Sequence, residues 1–121
     1  MADVLIVDDQ PDTRQLLRRL FKHAGCDSAC VASGVDALEY LQKDHPKVVV
    51  LDLMMPDLDG LEVLQRIRSN PMLSDLRVIM YSACSDGIYK DEAFNKGASD
   101  FWIKSITPVQ QMTEQVRRCV S

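Results

Sequence analysis

The sequence predicts an α/β fold in which a five-stranded parallel sheet is covered on both faces by helices. Three observations predict it. Short runs rich in Val, Ile, Leu and aromatic residues recur along the chain, and the strongest are apolar throughout, as strands buried on both sides must be. Between them lie stretches with apolar residues three and four apart, the spacing of one helix face. Gly, Pro, Ser and Asp punctuate the joins. Strands that alternate strictly with helices are joined by crossovers, and crossovers produce parallel neighbours.

Taken in order, Val4 to Val7 is the first strand. A helix follows with Pro11 in its first turn, an apolar stripe of Leu16, Leu17, Leu20, Phe21 and Ala24, and Gly25 to stop it. Ser28 to Ala32 is a second, weaker strand. Ser33 caps a helix through Lys43, with Asp36 three residues on. Val48 to Leu51 is the third strand. Asp59 caps the third helix, Glu62 stands at the capping-box position, and Leu61, Leu64 and Ile67 mark the apolar side. Asn70-Pro71 ends it. Leu76 to Tyr81 is the fourth strand. A helix from Asp86 to Lys96 ends at Gly97; its apolar residues, Ile88, Ala93 and Phe94, make a thin stripe, so it should be the most loosely docked element. Ser99 to Ile103 is the fifth strand. Thr107-Pro108 opens the last helix, with Val109, Met112, Val116 and Cys119 or Val120 inward.

The 121 residues suit one domain, 1–121, with one sizeable core. With 46% hydrophobic and 26% charged residues the chain should be globular rather than disordered. A formal net charge of −4 argues against non-specific nucleic-acid binding. No apolar run approaches the ~20 residues of a membrane span and no signal-peptide pattern opens the chain, so the expected location is the cytoplasm. Cys26, Cys30, Cys84 and Cys119 are expected as free, mostly buried thiols, the first two sharing a face of the second strand. No repeat, linker or low-complexity stretch interrupts the pattern, and no output domain is expected within these residues.

The chemistry concentrates where strands end. Asp8 and Asp9 close VLIVDD, and Asp52 closes VVVLD. In open α/β sheets ligands sit beyond the carboxyl ends of strands. Two carboxylates ~5 Å apart repel by ~3 kcal/mol at an effective dielectric near 20, so such a cluster calls for a cation. Oxygen ligands without His or Cys favour Mg²⁺. Ser82 follows RVIMY and Lys104 follows SDFWI, also at strand ends. A hydroxyl and an ammonium beside a carboxylate and a cation make a phosphoryl-binding constellation.

With these pieces assembled, the chain resembles the receiver domain of two-component response regulators, single-domain chemotaxis-type regulators included. The matching segments are VLIVDD at Val4 to Asp9, LDLMMPDLDG at Leu51 to Gly60, YSA at Tyr81 to Ala83 and GASDFWIK at Gly97 to Lys104. The resemblance implies a flavodoxin-like (βα)5 fold with strand order 2-1-3-4-5. It implies that Asp52 accepts a phosphoryl group from a phosphohistidine of a sensor histidine kinase or phosphotransfer protein. Asp9, Asp52 and the carbonyl of Met54 would ligate Mg²⁺ or Mn²⁺ directly, and Asp8 through a water. Ser82 and Lys104 would take phosphoryl oxygens. Phe101 matches the aromatic that swings inward as Ser82 moves, with small residues such as Ala83 leaving room. The surface of the fourth helix, fifth strand and fifth helix would report the state to a downstream partner. Beyond its own phosphorylation and dephosphorylation no enzymatic activity is implied.

The chain departs from the family's pattern in places. Ser105 follows Lys104 where the family usually has proline, commonly after a cis bond; before a non-proline residue a cis bond costs ~3 kcal/mol. Phe101 lacks a tyrosine hydroxyl, so a switch would depend on packing. Trp102 is expected on the outer side of the fifth strand. Met54 and Cys84, two residues past Asp52 and Ser82, flank the site and would help set water access to an acyl phosphate.

Competing functions fit less well. A phosphohydrolase of the haloacid dehalogenase type would carry a second Asp two residues past the nucleophile, where Met54 stands. A flavin-mononucleotide module would need a first loop that cradles phosphate, whereas Asp8, Asp9 and Asp12 would repel one. The alternative of a pseudo-receiver, binding partners without phosphorylation, remains, although all five site residues are present.

Overall fold

The computed structural model describes residues 2–121. The elements run β1 (Val4–Val7), α1 (Pro11–His23), β2 (Ser28–Val31), α2 (Gly34–Lys43), β3 (Val48–Asp52), α3 (Gly60–Ser69), β4 (Arg77–Ser82), α4 (Gly87–Asn95), β5 (Asp100–Ile103) and α5 (Val109–Val120). The strands form one parallel sheet in the order β2-β1-β3-β4-β5. Boundaries differ from the sequence reading by a residue, within the fraying expected of element ends.

Every residue of β1 and β3, and every residue of β4 after Arg77, is buried, and alternate residues enter opposite cores. Val4, Ile6, Val48, Val50, Ile79, Tyr81 and Trp102 pack beneath Leu17 and Phe21 of α1 and Met112 and Val116 of α5. Leu5, Val7, Val49, Leu51, Val78, Met80 and Phe101 pack beneath α2, α3 and α4. The order reverses between β1 and β3, so the carboxyl ends of β1 and β3 meet at the middle of one edge.

Helix ends follow the predicted chemistry. Ser33, Asp59 and Asp86 each accept a backbone N–H at the start of their helices, from Asp36, Glu62 and Ile88. Gly25 and Gly97 take φ of 83° and 102°, which allow the chain to leave α1 and α4. The capping box of α3 is only half made. The Glu62 carboxylate accepts from Arg66 Nε at 3.1 Å, one turn on, instead of reaching back to the Asp59 N–H.

Some expected inward residues point out. Leu16 of α1 is 50% exposed and Val109 of α5 is 51% exposed. On each helix the facing core is filled from a narrower stripe, Leu17 and Phe21 on α1, Met112 and Val116 on α5. On α4, Ile88 and Phe94 are exposed and Ala93 is buried, so its stripe is thinner still than the sequence suggested. Trp102 overturns the outward expectation: it is fully buried, because α1 and α5 cover that side of β5, and it lies 6.5 Å from Phe21 between ring centroids. Its indole N–H donates to Gln115 Oε1 at 2.6 Å, which satisfies the polar end of the ring. The cysteines are free, with Cys26 buried and the other three half-buried. Cys26 precedes β2 rather than lying on it, so it does not share a strand face with Cys30.

None of the peptide bonds among the described residues is cis, so Lys104 and Ser105 are joined by a trans bond. The turn is made by Ser105 itself, which adopts φ 67° in the left-handed region. Thr107 closes it: its N–H donates to the Ile103 carbonyl at 2.9 Å while its hydroxyl oxygen accepts from the Ile103 N–H at 2.8 Å.

Candidate functional site

The three carboxylates arrive from two adjacent strands. β1 ends at Val7, beside Leu51 of β3, so Asp8 and Asp9 leave the sheet next to Asp52. One oxygen from each of Asp8, Asp9 and Asp52 falls within 4.8 Å of the others. Asp8 and Asp52 are buried, at 1% and 4% exposure, and Asp9 is open to solvent. Such an all-oxygen set, with one member exposed, fits a hard divalent cation that keeps several of its waters.

One ammonium balances part of this charge. Lys104 Nζ donates to Asp8 Oδ2 at 3.0 Å and lies 3.8 Å from Asp52 Oδ1. It also stands 5.3 Å from the centroid of the Tyr81 ring, which supplies a weak cation–π contact. β5 delivers Lys104 because its N–H is held by the Ser82 carbonyl at 2.8 Å, so the last residue of β4 and the first after β5 are tied together. The Met54 N–H donates to Asp52 Oδ1 at 3.3 Å. These contacts do not offset burial: desolvation, then the neighbouring Asp8, outweigh Lys104 and raise the Asp52 carboxyl from its ordinary 3.8 to about 6.

Ser82 is buried, and its Oγ accepts from the Cys84 N–H at 3.0 Å. That bond uses an oxygen lone pair and leaves the hydroxyl proton available to donate. Phe101 is 7% exposed, and its ring already lies in the core under α4. With no hydroxyl to hydrate, the ring gains by burial. The Met54 side chain stands open on the flank at 56% exposure, while Cys84 is half-buried.

Two residues of the site's frame carry no pattern in the sequence. Arg14, one turn into α1, donates from its guanidinium to the Asp8 carbonyl at 2.8 Å and so steadies the loop that carries Asp8 and Asp9. Asp57, in the loop after β3, accepts from the N–H groups of Gly34 and Val35 at the start of α2. Desolvation works against its charge, but the amides of Leu58, Val35 and Gly34 outweigh it and hold the Asp57 carboxyl below its ordinary range. Both partners are backbone groups, six residues away for Arg14 and more than twenty for Asp57, which no residue-type pattern reveals. The loop's closure did leave a glycine signal: LDLMMPDLDG ends on Gly60, where a Cβ would strike the Asp52 carbonyl oxygen and come within 2.8 Å of Leu53 Cα.

Comparison with known proteins agrees with this arrangement. The family model of the response regulator receiver domain matches residues 4–117. A 14.6 kDa uncharacterized protein of Leptolyngbya boryana is 31% identical over 119 residues, covering 98% of this chain and 91% of its own length. A probable transcriptional regulator, ycf27, of Porphyridium aerugineum is 37% identical over 105 residues, covering 87% of this chain, and this chain spans 42% of that protein. Among solved structures, a putative response regulator from Chloroflexus aurantiacus superposes with a TM-score of 0.91 at 28% identity, covering 98% of this chain and 97% of its own. The chemotaxis protein CheY4 of Vibrio cholerae does so with a TM-score of 0.88 at 26% identity, covering 98% of both chains.

Proposed function

The chain belongs to the response regulator receiver family, and from that premise we propose that it is a phosphoryl-accepting signalling switch with Asp52 as the acceptor. The observation that carries this reading is the convergence of Asp8, Asp9, Asp52, Ser82 and Lys104 on one sheet edge, with Asp52 buried at its centre. In the reaction an Asp52 carboxylate oxygen forms a bond to phosphorus as the phosphorus–nitrogen bond of a phosphohistidine breaks, and the imidazole nitrogen leaves with the electron pair. The partner class is a sensor histidine kinase or phosphotransfer protein. The downstream target is a protein or output domain.

Each residue has a task. Asp8, Asp9 and Asp52, with the Met54 carbonyl, would hold Mg²⁺ or Mn²⁺, with Asp8 acting through a water. Held there, the ion would supply positive charge against the phosphoryl oxygens. Lys104 moves its charge from Asp8 and Asp52 toward a phosphoryl oxygen. The free proton of Ser82 makes a hydrogen bond to another, and drawing Ser82 inward changes the space beside Phe101. The burial that raises Asp52 toward 6 also excludes water from its carboxylate, and a cation held there would favour the anionic form needed for attack.

The test is incorporation of a phosphoryl group from acetyl phosphate. One group, labile to hydroxylamine, should be gained with Mg²⁺ present and lost when the metal is chelated. Lys104→Ala should retain metal binding and lose most of the incorporation. Labelling that ignores chelation would remove the metal from the reaction.

A further inference from the structure

We propose that Asp57 is a positioning residue for this site, its carboxylate pinning the loop after β3 to the start of α2 so that Met54 is held against Asp52. The inference rests on the metal-binding reading above and adds a residue that the family motif, as matched, leaves without a role.

Asp57 Oδ1 accepts from the Gly34 N–H at 3.4 Å and Oδ2 from the Val35 N–H at 3.2 Å. These are the first two amides of α2, which have no partner within their own helix. The next amide, of Asp36, is taken by the Ser33 hydroxyl oxygen at 3.1 Å. α2 thus has one cap from its own chain segment and a second from the loop that follows β3. The carboxylate's charge suits the positive end of the helix.

The loop and helix are also in direct contact. A Cβ at Gly34 would come within 2.8 Å of the Leu58 carbonyl oxygen and 2.7 Å of Val63 Cγ2, so only glycine admits this approach. The two ends of the loop are tied together by the Gly60 N–H donating to the Leu53 carbonyl at 2.8 Å. Met54 lies between these two anchors. Its N–H meets Asp52 Oδ1 at 3.3 Å, and its carbonyl is the backbone ligand expected of the site. Met54's own side chain, largely exposed, contributes little to holding it. With its ends tied to each other, the loop is fixed against the rest of the fold at its middle by Asp57, and releasing Asp57 loosens the segment that carries Met54.

The experiment compares wild type, Asp57→Ala, Asp57→Asn and Ser33→Ala, with Mg²⁺ alone as the probe and backbone amide spectra as the readout. Asp57→Ala should weaken Mg²⁺ affinity roughly tenfold, the scale for loss of a group that supports a ligand. Asp57→Asn, which keeps one accepting oxygen, should recover part of that loss. Ser33→Ala removes the helix's own cap and should lower thermal stability while leaving Mg²⁺ affinity at the wild-type value. In the metal-free protein, Asp57→Ala should speed hydrogen exchange at Gly34 and Val35. Wild-type affinity in Asp57→Ala, or an equal loss in Ser33→Ala, would overturn the proposal. A wild type indifferent to millimolar Mg²⁺ would overturn the metal reading and this proposal with it.

Discussion

Burial beside Asp8 and Asp9 holds the Asp52 carboxyl near 6 rather than 3.8, and the sign of that shift has a consequence for stability. The folded chain keeps a proton on Asp52 at a pH where the unfolded chain has released it. The group's contribution is therefore complete below about pH 4, falls as pH rises toward 6, and stays low above it. Metal-free Asp52→Asn should be more stable than wild type at pH 7, on the order of 2–3 kcal/mol. Denaturant unfolding of both proteins at pH 4 and pH 7 checks this: the gap should open between the two, and an equal gap at both would contradict the cause. Mg²⁺ should narrow it by stabilising wild type through mass action. Ser105 gives a second prediction at this scale. Its φ of 67° costs a non-glycine residue about 1 kcal/mol. Ser105→Gly should be neutral or mildly stabilising in thermal melts, whereas Ser105→Pro, with φ locked near −65°, should destabilise this trans turn, although proline is the usual residue of the family there.

Among the helices, α4 buries the fewest residues. It buries Ala93 alone, and leaves Ile88 71% and Phe94 41% exposed. By contrast α3 buries Val63, Leu64 and Ile67, and its Arg68 binds the carbonyls of Gly97, Ser74 and Leu76. Beryllofluoride with Mg²⁺, which stands in for the phosphoryl group, should therefore change hydrogen exchange over residues 82–107 more than over α1 and α2. A response confined to the neighbours of Asp52 would reject the switch surface while leaving the acceptor in place. Phe101 is already inward, so the change should read out in α4 and in the loop after Ser82 rather than as a large ring movement. This weakness was legible in the sequence from the spacing of Ile88, Ala93 and Phe94. The outward turn of Leu16 and Val109 was not, because an apolar stripe fixes which side of a helix faces the core but not how far the contact extends.

Across the whole molecule, the fold and the five converging side chains were readable because strand ends are marked by composition: apolar runs stop where Asp8, Asp52, Ser82 and Lys104 begin. What escaped depends on tertiary partners. Trp102 is interior because α1 and α5 meet over β5, and Asp57 and Arg14 act on backbone groups that any sequence would present. The free cysteines give a simple check: after denaturation without reductant, all four thiols should titrate, and two or fewer would reveal a bridge. The central claim is that one carboxylate on this edge accepts the phosphoryl group. It is tested most directly by treating the acetyl phosphate-labelled protein with borohydride, which reduces an aspartyl phosphate to homoserine, and locating the product by peptide mass spectrometry. Homoserine at position 52, absent from Asp52→Asn, is the expected result. Homoserine at position 8 or 9, or equal labelling of Asp52→Asn, would contradict the account.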